Sequence, residues 1–410
     1  MKILLYGINY WPELTGVGKY TGELSEWLSH QEHEVHVITA PPYYPEWEVR
    51  DGYSAFFYHK ELHGGVEVYR TPIFVPKKPT TMSRILHLIS FSISSFPLVI
   101  SHIFWKPDIV FFVQPTLFSS VGALILARLS GAKSIMHVQD YEIDAMLGLG
   151  MGEQGLIIKW VTKLEYWLMS KFDVISTISY SMMEKAKQKG VPESKLIFFP
   201  NWADTEFVAP ISSASTLKAE WGFSDRDTVI LYAGNIGKKQ GLELVLDAAE
   251  KLKGRENVRF VIVGTGAHVG VLNAIAVEKR LSNVYFKPLQ PWARVPEMLA
   301  MADIHLVIQK RGAADVVLPS KLTNILSIGG YSLVTAEKYT ELGLLSEKYP
   351  GIYQRVEPEN VALFVEALHE MLEKRSQGIN NVAREYALKF LSKNIVLSDF
   401  EVHLNKMYKP

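Results

Sequence analysis

A chain of 410 residues is too long for one hydrophobic core, which rarely grows past about 250–300 residues, so two domains are expected. Apolar residues at 48% and charged residues at 21% belong to a folded globular protein, and a formal net charge of zero argues against wholesale binding of nucleic acid. The absence of cysteine excludes disulfides, a thiolate nucleophile and a Cys-type zinc site. Lys2 to Ile8 then reads as a buried parallel strand, reached without a basic region and cleavage site, so a cytoplasmic protein is expected.

Asn9 to Lys19 (NYWPELTGVGK) is a loop carrying Gly16 and Gly18, and a helix is expected from Tyr20 to Gln31. Strand, glycine loop and helix form the layout of a ligand-facing turn in a doubly wound sheet, although Thr21 breaks the full dinucleotide fingerprint. Glu34 to Ala40 is a second strand, closed by the aromatic loop PPYYPEW, which either stacks on sugar rings or packs on its own domain. Val66 to Phe74 and Ile109 to Val113 are further strands. Between them Ile85 to Trp105 holds no Lys, Arg, Asp or Glu, and its length permits a membrane span. Pro97, its serines and histidines, and its place inside a βα series favour a buried or membrane-surface helix instead. Ser119 to Ser130 is helical, and Lys133 to His137 is a strand leading into HVQDYEIDAM, where His137, Asp140, Glu142 and Asp144 gather at a strand end. Such residues suit acid–base work or the gripping of hydroxyls, or else form an ordinary polar pair. Leu156 to Met169 is an amphipathic helix whose aromatic stripe reads as core. Val174 to Ser179 and Lys195 to Phe199 are strands around a helix at 181–189, and Pro210 with the serines near 212–215 marks an interdomain crossing.

A second βα series follows. Strands are expected at Thr228–Ala233, Val258–Val263, Val284–Leu289, 304–308, Tyr331–Thr335 and Gly351–Val356. Helices are expected at Leu242–Lys253, 270–280, near 294–301, 321–328 and over most of the remainder to Tyr408. Two glycine loops, GNIGKKQG at 234–241 and Gly264-Thr265-Gly266, follow strands. The stretch Gln309 to Asn324 (QKRGAADVVLPSKLTN) leaves a strand, carries Lys310, Arg311 and Asp315, and enters a helix through Pro319-Ser320-Lys321. Free backbone N–H groups beside cations suit a phosphate; the alternative is a plain βα loop with Ser320 as N-cap. The predicted architecture is α/β, with two doubly wound Rossmann-like domains facing each other across a cleft that takes the ligand.

No Ser-His-Asp order, P-loop or zinc spacing occurs, and Asp225-Arg226-Asp227 precedes a strand, so it reads as a solvated turn rather than a metal site. A metal-independent site must neutralise phosphate with helix dipoles and with Lys238, Lys239, Arg311 or Lys321.

The long segments ILLYGINYWPELTGVGKYTGE, ITAPPYYPEW, HVQDYEIDAMLGLG, FFPNWAD, YAGNIGKKQGLE and QKRGAADVVLPSKLTNIL resemble the retaining GT-B glycosyltransferases of family 4 over essentially the whole chain. The resemblance implies an acceptor-side domain at 1–205, a nucleotide-sugar-binding domain at 206–387 and a C-terminal helix at 388–410 crossing back. It implies a donor nucleotide-sugar, leaning to GDP-fucose with a UDP-sugar as the other option, no required cofactor and no metal. The acceptor it implies is a polyprenyl-diphosphate-linked glycan in exopolysaccharide assembly, met by a peripheral protein on the cytoplasmic face of the inner membrane. Carried over by position, His137, Asp140, Arg311 and Lys321 are the catalytic candidates. Gly16, Gly18, Asn235, Lys239, Gly264, Leu289, Arg311, Leu318, Ser320, Lys321 and Asn324 are the donor-binding ones. The chain departs from the family at Asn235, where Arg is usual, and at Gln240, where Lys is usual. Asn324 and Val316 stand where the family has paired glutamates, with Asp315 adjacent, which shifts phosphate work to Arg311, Ser320 and Lys321. A nucleotide-sugar 2-epimerase of the same fold and a non-catalytic nucleotide-sugar binder are the rival readings.

Overall fold

The computed structural model describes the chain except residues 14–15, 115–116, 142–155, 212–214, 312–318, 375–377 and 409–410, and the side chains of 156–159, 215 and 239. The described chain divides into two compact units, Met1–Pro200 with Leu397–Pro410, and Asn201–Val396.

The first unit is built on eight strands: β1 (Lys2–Tyr6), β2 (Glu34–Thr39), β3 (His59–His63), β4 (Val66–Arg70), β5 (Ile109–Val113), β6 (Lys133–Val138), β7 (Val174–Thr177) and β8 (Leu196–Phe198). Their order is β3-β4-β2-β1-β5-β6-β7-β8, parallel throughout except for the antiparallel β3–β4 pair. Runs such as KILLY and IVFFV are buried on both faces, as a parallel sheet covered by helices requires. The β3–β4 hairpin was not expected. Gly64 and Gly65 make its turn with φ of 56° and 79°, the left-handed pair that a tight hairpin selects.

Helices α1 (Gly16–His30), α2 (Thr81–Trp105), α3 (Ser120–Ser130), α4 (Leu156–Lys171) and α5 (Tyr180–Gln188) belong to this unit. α2 starts at a reciprocal cap between Thr80 and Ser83. It is long and apolar enough to cross a membrane, yet it lays His87, Phe91, Ser95, Val99 and His102 against the unit's core. Polar bonds fix that face: Ser95 Oγ pairs with Tyr6 Oη, His87 Nδ1 donates to Phe74 O at 2.6 Å, and the rings of His102 and His36 meet at 3.2 Å. One face of α2 is thus docked on the unit, as a buried or surface helix requires.

The second unit holds β9 (Thr228–Ala233), β10 (Val258–Val263), β11 (Val284–Lys287), β12 (Ile304–Val307), β13 (Ser332–Thr335) and β14 (Gln354–Val356). They run parallel in the order β11-β10-β9-β12-β13-β14, with α6 (Glu243–Lys251), α7 (Val269–Glu278), α8 (Ser320–Ile328) and α9 (Val361–Lys374) among the covering helices. Alternation along β9 feeds two cores. Ile230 and Tyr232 join Leu246 and Phe364, whereas Val229 and Leu231 join Leu322 and Leu326. The strand order reverses between β9 and β12 here, and between β1 and β5 in the first unit, so the ligand-binding ends are the loops after those strands. The last helix, α10 (Lys393–Tyr408), returns the chain to the first unit, where Phe400 stacks on Phe199 at 3.9 Å and meets Phe111 edge-on at 5.5 Å.

Candidate active site

In the second unit the loops at the strand reversal converge on Lys321. Its Nζ donates to Tyr232 Oη at 2.8 Å and lies 3.9 Å from the centre of that ring, while Tyr232 Oη donates to Asn235 O at 2.7 Å. Beneath it is Gly234 (φ 150°), where a Cβ would come within 3.1 Å of the ammonium. Removal from water lowers the Lys321 pKa to about 7. Gly264 (φ 149°) lets the loop after β10 pack backbone to backbone on the loop after β9; a Cβ there would overlap Gly234 O. The floor of the site is therefore bare main chain with one poorly hydrated cation above it, which is how a protein accommodates a diphosphate.

The helix carrying Lys321 begins one residue earlier than expected. Ser320 is its first residue, not its cap; Pro319 is the cap and offers no side-chain hydrogen bond. Leu322 N already donates to Pro319 O at 2.8 Å, and the missing side-chain cap leaves the N–H groups ahead of it for an anion. Ser320 is exposed, and Asn324, half-buried, follows one turn on. Arg311 is mostly exposed and pairs through Nη1 with Glu337 Oε1 at 2.9 Å, an exposed pair that costs little to break. Gln240 turns back to accept from Gly237 N at 3.0 Å, so it shapes its own loop. Asn235 is exposed in the same loop, and Lys239 belongs to the single turn Lys238–Gln240. Leu289 lies beyond β11 with 64% of its surface exposed. Leu318, Asp315 and Val316 fall outside the described residues, as does the side chain of Lys239. Asp227 is not a solvated turn residue: it is buried, accepts from Ser224 N at 2.7 Å and pairs with Arg259 at 2.9 Å. A cavity of about 1240 Å³ opens beside Asp225, Asp303 and Tyr331, at the amino ends of these strands and away from the reversal loops.

In the first unit, Gly16 (φ 60°) and Gly18 lie in the first turn of α1, not in a loop ahead of it. Gly18 is required by Glu13, whose Oε2 a Cβ would approach at 2.6 Å. Glu13 is buried; Oε1 accepts from Tyr43 N at 3.1 Å and Tyr44 N at 3.0 Å, and Oε2 from Asn9 Nδ2 at 2.9 Å. Burial pushes its pKa up, and those donors oppose the shift. His137 lies near the end of β6. Its ring is 3% exposed, stacked on Phe111, with Nδ1 2.9 Å from Ser176 Oγ and Nε2 2.8 Å from Gln139 Nε2. Burial lowers its pKa to about 3, so the ring is held neutral near the end of β6. Asp140 is exposed just past that strand, and Glu142 and Asp144 fall outside the described residues.

Among the described residues, Lys321, Ser320, Asn235 and Gly264 come together at the second unit's reversal, and Asp140 and Gly16 stand at strand ends of the first unit. Tyr232 and Glu13 were missed. Tyr232 reads as one apolar residue of a buried strand, and only its place near Gly234 hinted at a hydroxyl reaching the reversal loops.

Two parallel sheets in tandem, each closed by helices and each with its reversal loops, define the GT-B class of glycosyltransferases. Two solved structures share this fold over nearly the whole chain. The sucrose-phosphate synthase of Thermosynechococcus elongatus has a TM-score of 0.77 at 12% identity, covering 99% of this chain and 98% of its own. The Anabaena protein HepE in complex with UDP has a TM-score of 0.73 at 13% identity, covering 99% and 100%. A glycosyl transferase 4-like domain matches residues 15–202, and glycosyl transferases group 1 matches residues 213–390. The chain belongs to this glycosyltransferase family and is an enzyme of that kind. It is 50% identical over 405 residues, 98% of each chain, to a protein of Escherichia coli (strain K12) described as a putative colanic acid biosynthesis glycosyl transferase, WcaI. It is also 24% identical over 274 residues, 66% of this chain and 67% of the other, to a probable glycosyltransferase WbjE of Pseudomonas aeruginosa.

Proposed function

We propose that the protein transfers a sugar from a nucleoside-diphosphate donor to a polyprenyl-diphosphate-linked glycan, with retention and without an obligatory metal, in assembly of a colanic-acid-like exopolysaccharide. The observation that carries the donor half is Lys321, held by Tyr232 above the bare glycine backbone at the head of α8. The polymer follows from the 50% identity to a relative described as acting in colanic acid biosynthesis. The favoured donor is GDP-fucose, with a UDP-sugar second.

Charge develops on the departing diphosphate in the transition state, and groups poised there lower the barrier. Lys321, the N–H groups heading α8, and Arg311 once it leaves Glu337 supply that stabilisation. Ser320, Asn235 and Asn324 contact the donor, with Gly264 shaping the floor; the region 206–387 is thus the donor side. Asp140, past β6, grips hydroxyls of the transferred sugar or acceptor in the region 1–205, and the Gly16–Gly18 turn approaches the diphosphate. The reaction runs on the cytoplasmic face of the inner membrane.

Labelled GDP-fucose, GDP-mannose, UDP-glucose and UDP-galactose, each incubated with enzyme and lipid-linked acceptor, test the reading. Label should pass to the lipid fraction with matching release of nucleoside diphosphate. Epimerised free sugar, or no diphosphate released from any donor, would refute it.

A further inference from the structure

We propose that the outward face of α2, extended by α3, is the surface by which the first unit rests on an anionic lipid bilayer. Met82, Leu86, Ile93, Phe96, Ile100 and Phe104 fall within about 40° of one line along the helix at 100° per residue. All six are exposed, Ile93 at 69% and Phe104 at 81%. A bond of 2.7 Å between Ser92 Oγ and Ser119 Oγ brings the head of α3 alongside, where Phe118, Val121 and Leu129 are exposed as well. Contiguous apolar surface of this extent marks an interaction site.

Charge selects the occupant. From Thr71 to Pro107 there is no Asp or Glu; Lys77 and Lys78 stand just before the helix, while Arg84 turns to the other side, over the Trp47 ring. From Leu117 to Ala132 the only charge is Arg128. The chain as a whole carries 43 basic and 43 acidic residues, so this one-signed run is local; the carboxylate that meets α2 is Glu34, which accepts from Trp105 Nε1 at 2.8 Å at the far end of the helix. A second copy docked symmetrically on this face would set cations against cations. An anionic leaflet takes up the apolar side chains and pairs with the lysines at once. The opposite face, bonded to Tyr6, Phe74 and His36, keeps the helix lying along the surface. The inference rests on the proposed lipid-carried acceptor for its purpose, since such an acceptor is met only at a bilayer.

Flotation of the purified full chain with phosphatidylcholine vesicles, containing or lacking phosphatidylglycerol, tests this surface. Wild type should float with the anionic vesicles and lose most of its binding without them or in high salt. Ile93→Glu/Phe104→Glu should reduce the bound fraction at least about tenfold, and the milder Ile93→Ser/Ile100→Ser should reduce it less. Both variants should keep the wild-type melting temperature and its increase with GDP or UDP. Equal flotation of variant and wild type, no flotation of wild type, or a wild-type dimer that the variants turn into monomer would each overturn the proposal. Absence of wild-type turnover on a detergent-solubilised acceptor would instead count against the proposed function.

Discussion

Lys321 offers the most direct test of the donor site. Its pKa, lowered to about 7 by burial, leaves the free protein about half protonated at pH 7 and about one part in a hundred protonated at pH 9. A bound diphosphate stabilises the ammonium and raises that pKa again. Binding above pH 7 therefore takes up a proton, and affinity falls as pH rises. Between pH 7 and pH 9 the fall should approach about fiftyfold, equal to about 2.3 kcal/mol, while the bound lysine stays charged. Nucleotide-sugars suit the measurement, because their diphosphate is fully ionised throughout this range. Calorimetry in buffers of different ionisation enthalpy should report uptake of about half a proton at pH 7 and nearly one at pH 8.5. Lys321→Met should flatten the pH profile and weaken binding at pH 7 by at least about 1.5 kcal/mol, the lower end for a bond to a charged group. A flat wild-type profile, or a variant with wild-type affinity at pH 7, would refute the assignment of Lys321 to the diphosphate.

Two further outcomes concern the scaffold. Gly264→Ala has to accommodate a Cβ at φ 149° against Gly234 O, so urea unfolding should show a loss of at least about 2 kcal/mol, and an unchanged midpoint would contradict the backbone packing. His305 is buried with Nε2 unpartnered, and burial lowers its pKa to about 4. The unfolded chain then binds a proton before the folded one as pH falls below 6.5, so stability is complete above that pH and declines below it by about 1.4 kcal/mol per unit. His305→Leu should remove that share of the acid slope; identical slopes for both proteins between pH 6.5 and 4.5 would show that the ring charges without cost.

Much of the architecture was legible because short apolar runs alternating with glycine loops and amphipathic helices belong to a parallel sheet covered on both faces. β3 was not, since His59, Lys60 and Glu61 have the composition of an exposed loop and only pairing with β4 makes them a strand. The burial of His137 was hidden for a related reason. β6 lies inside the sheet with both faces covered, so alternation cannot say which side chains reach the ligand. At the donor site the glycines and Lys321 were visible as types at strand ends. The clasp by Tyr232 was not, because it joins a residue of β9 to one of α8 that only tertiary packing brings within 2.8 Å.

Glu13 couples parts of the first unit that are distant in sequence. One carboxylate accepts hydrogen bonds from the amides of Tyr43 and Tyr44, in the aromatic loop after β2, and from Asn9 Nδ2 after β1, while Gly18 of α1 closes over it. Those amides can trade their hydrogens for deuterium only when the carboxylate lets go. The exchange rates of Tyr43 and Tyr44 therefore report how often the glycine turn and the aromatic loop separate. A ligand that pins the turn should slow isotope exchange at Tyr43 and Tyr44 in the aromatic loop.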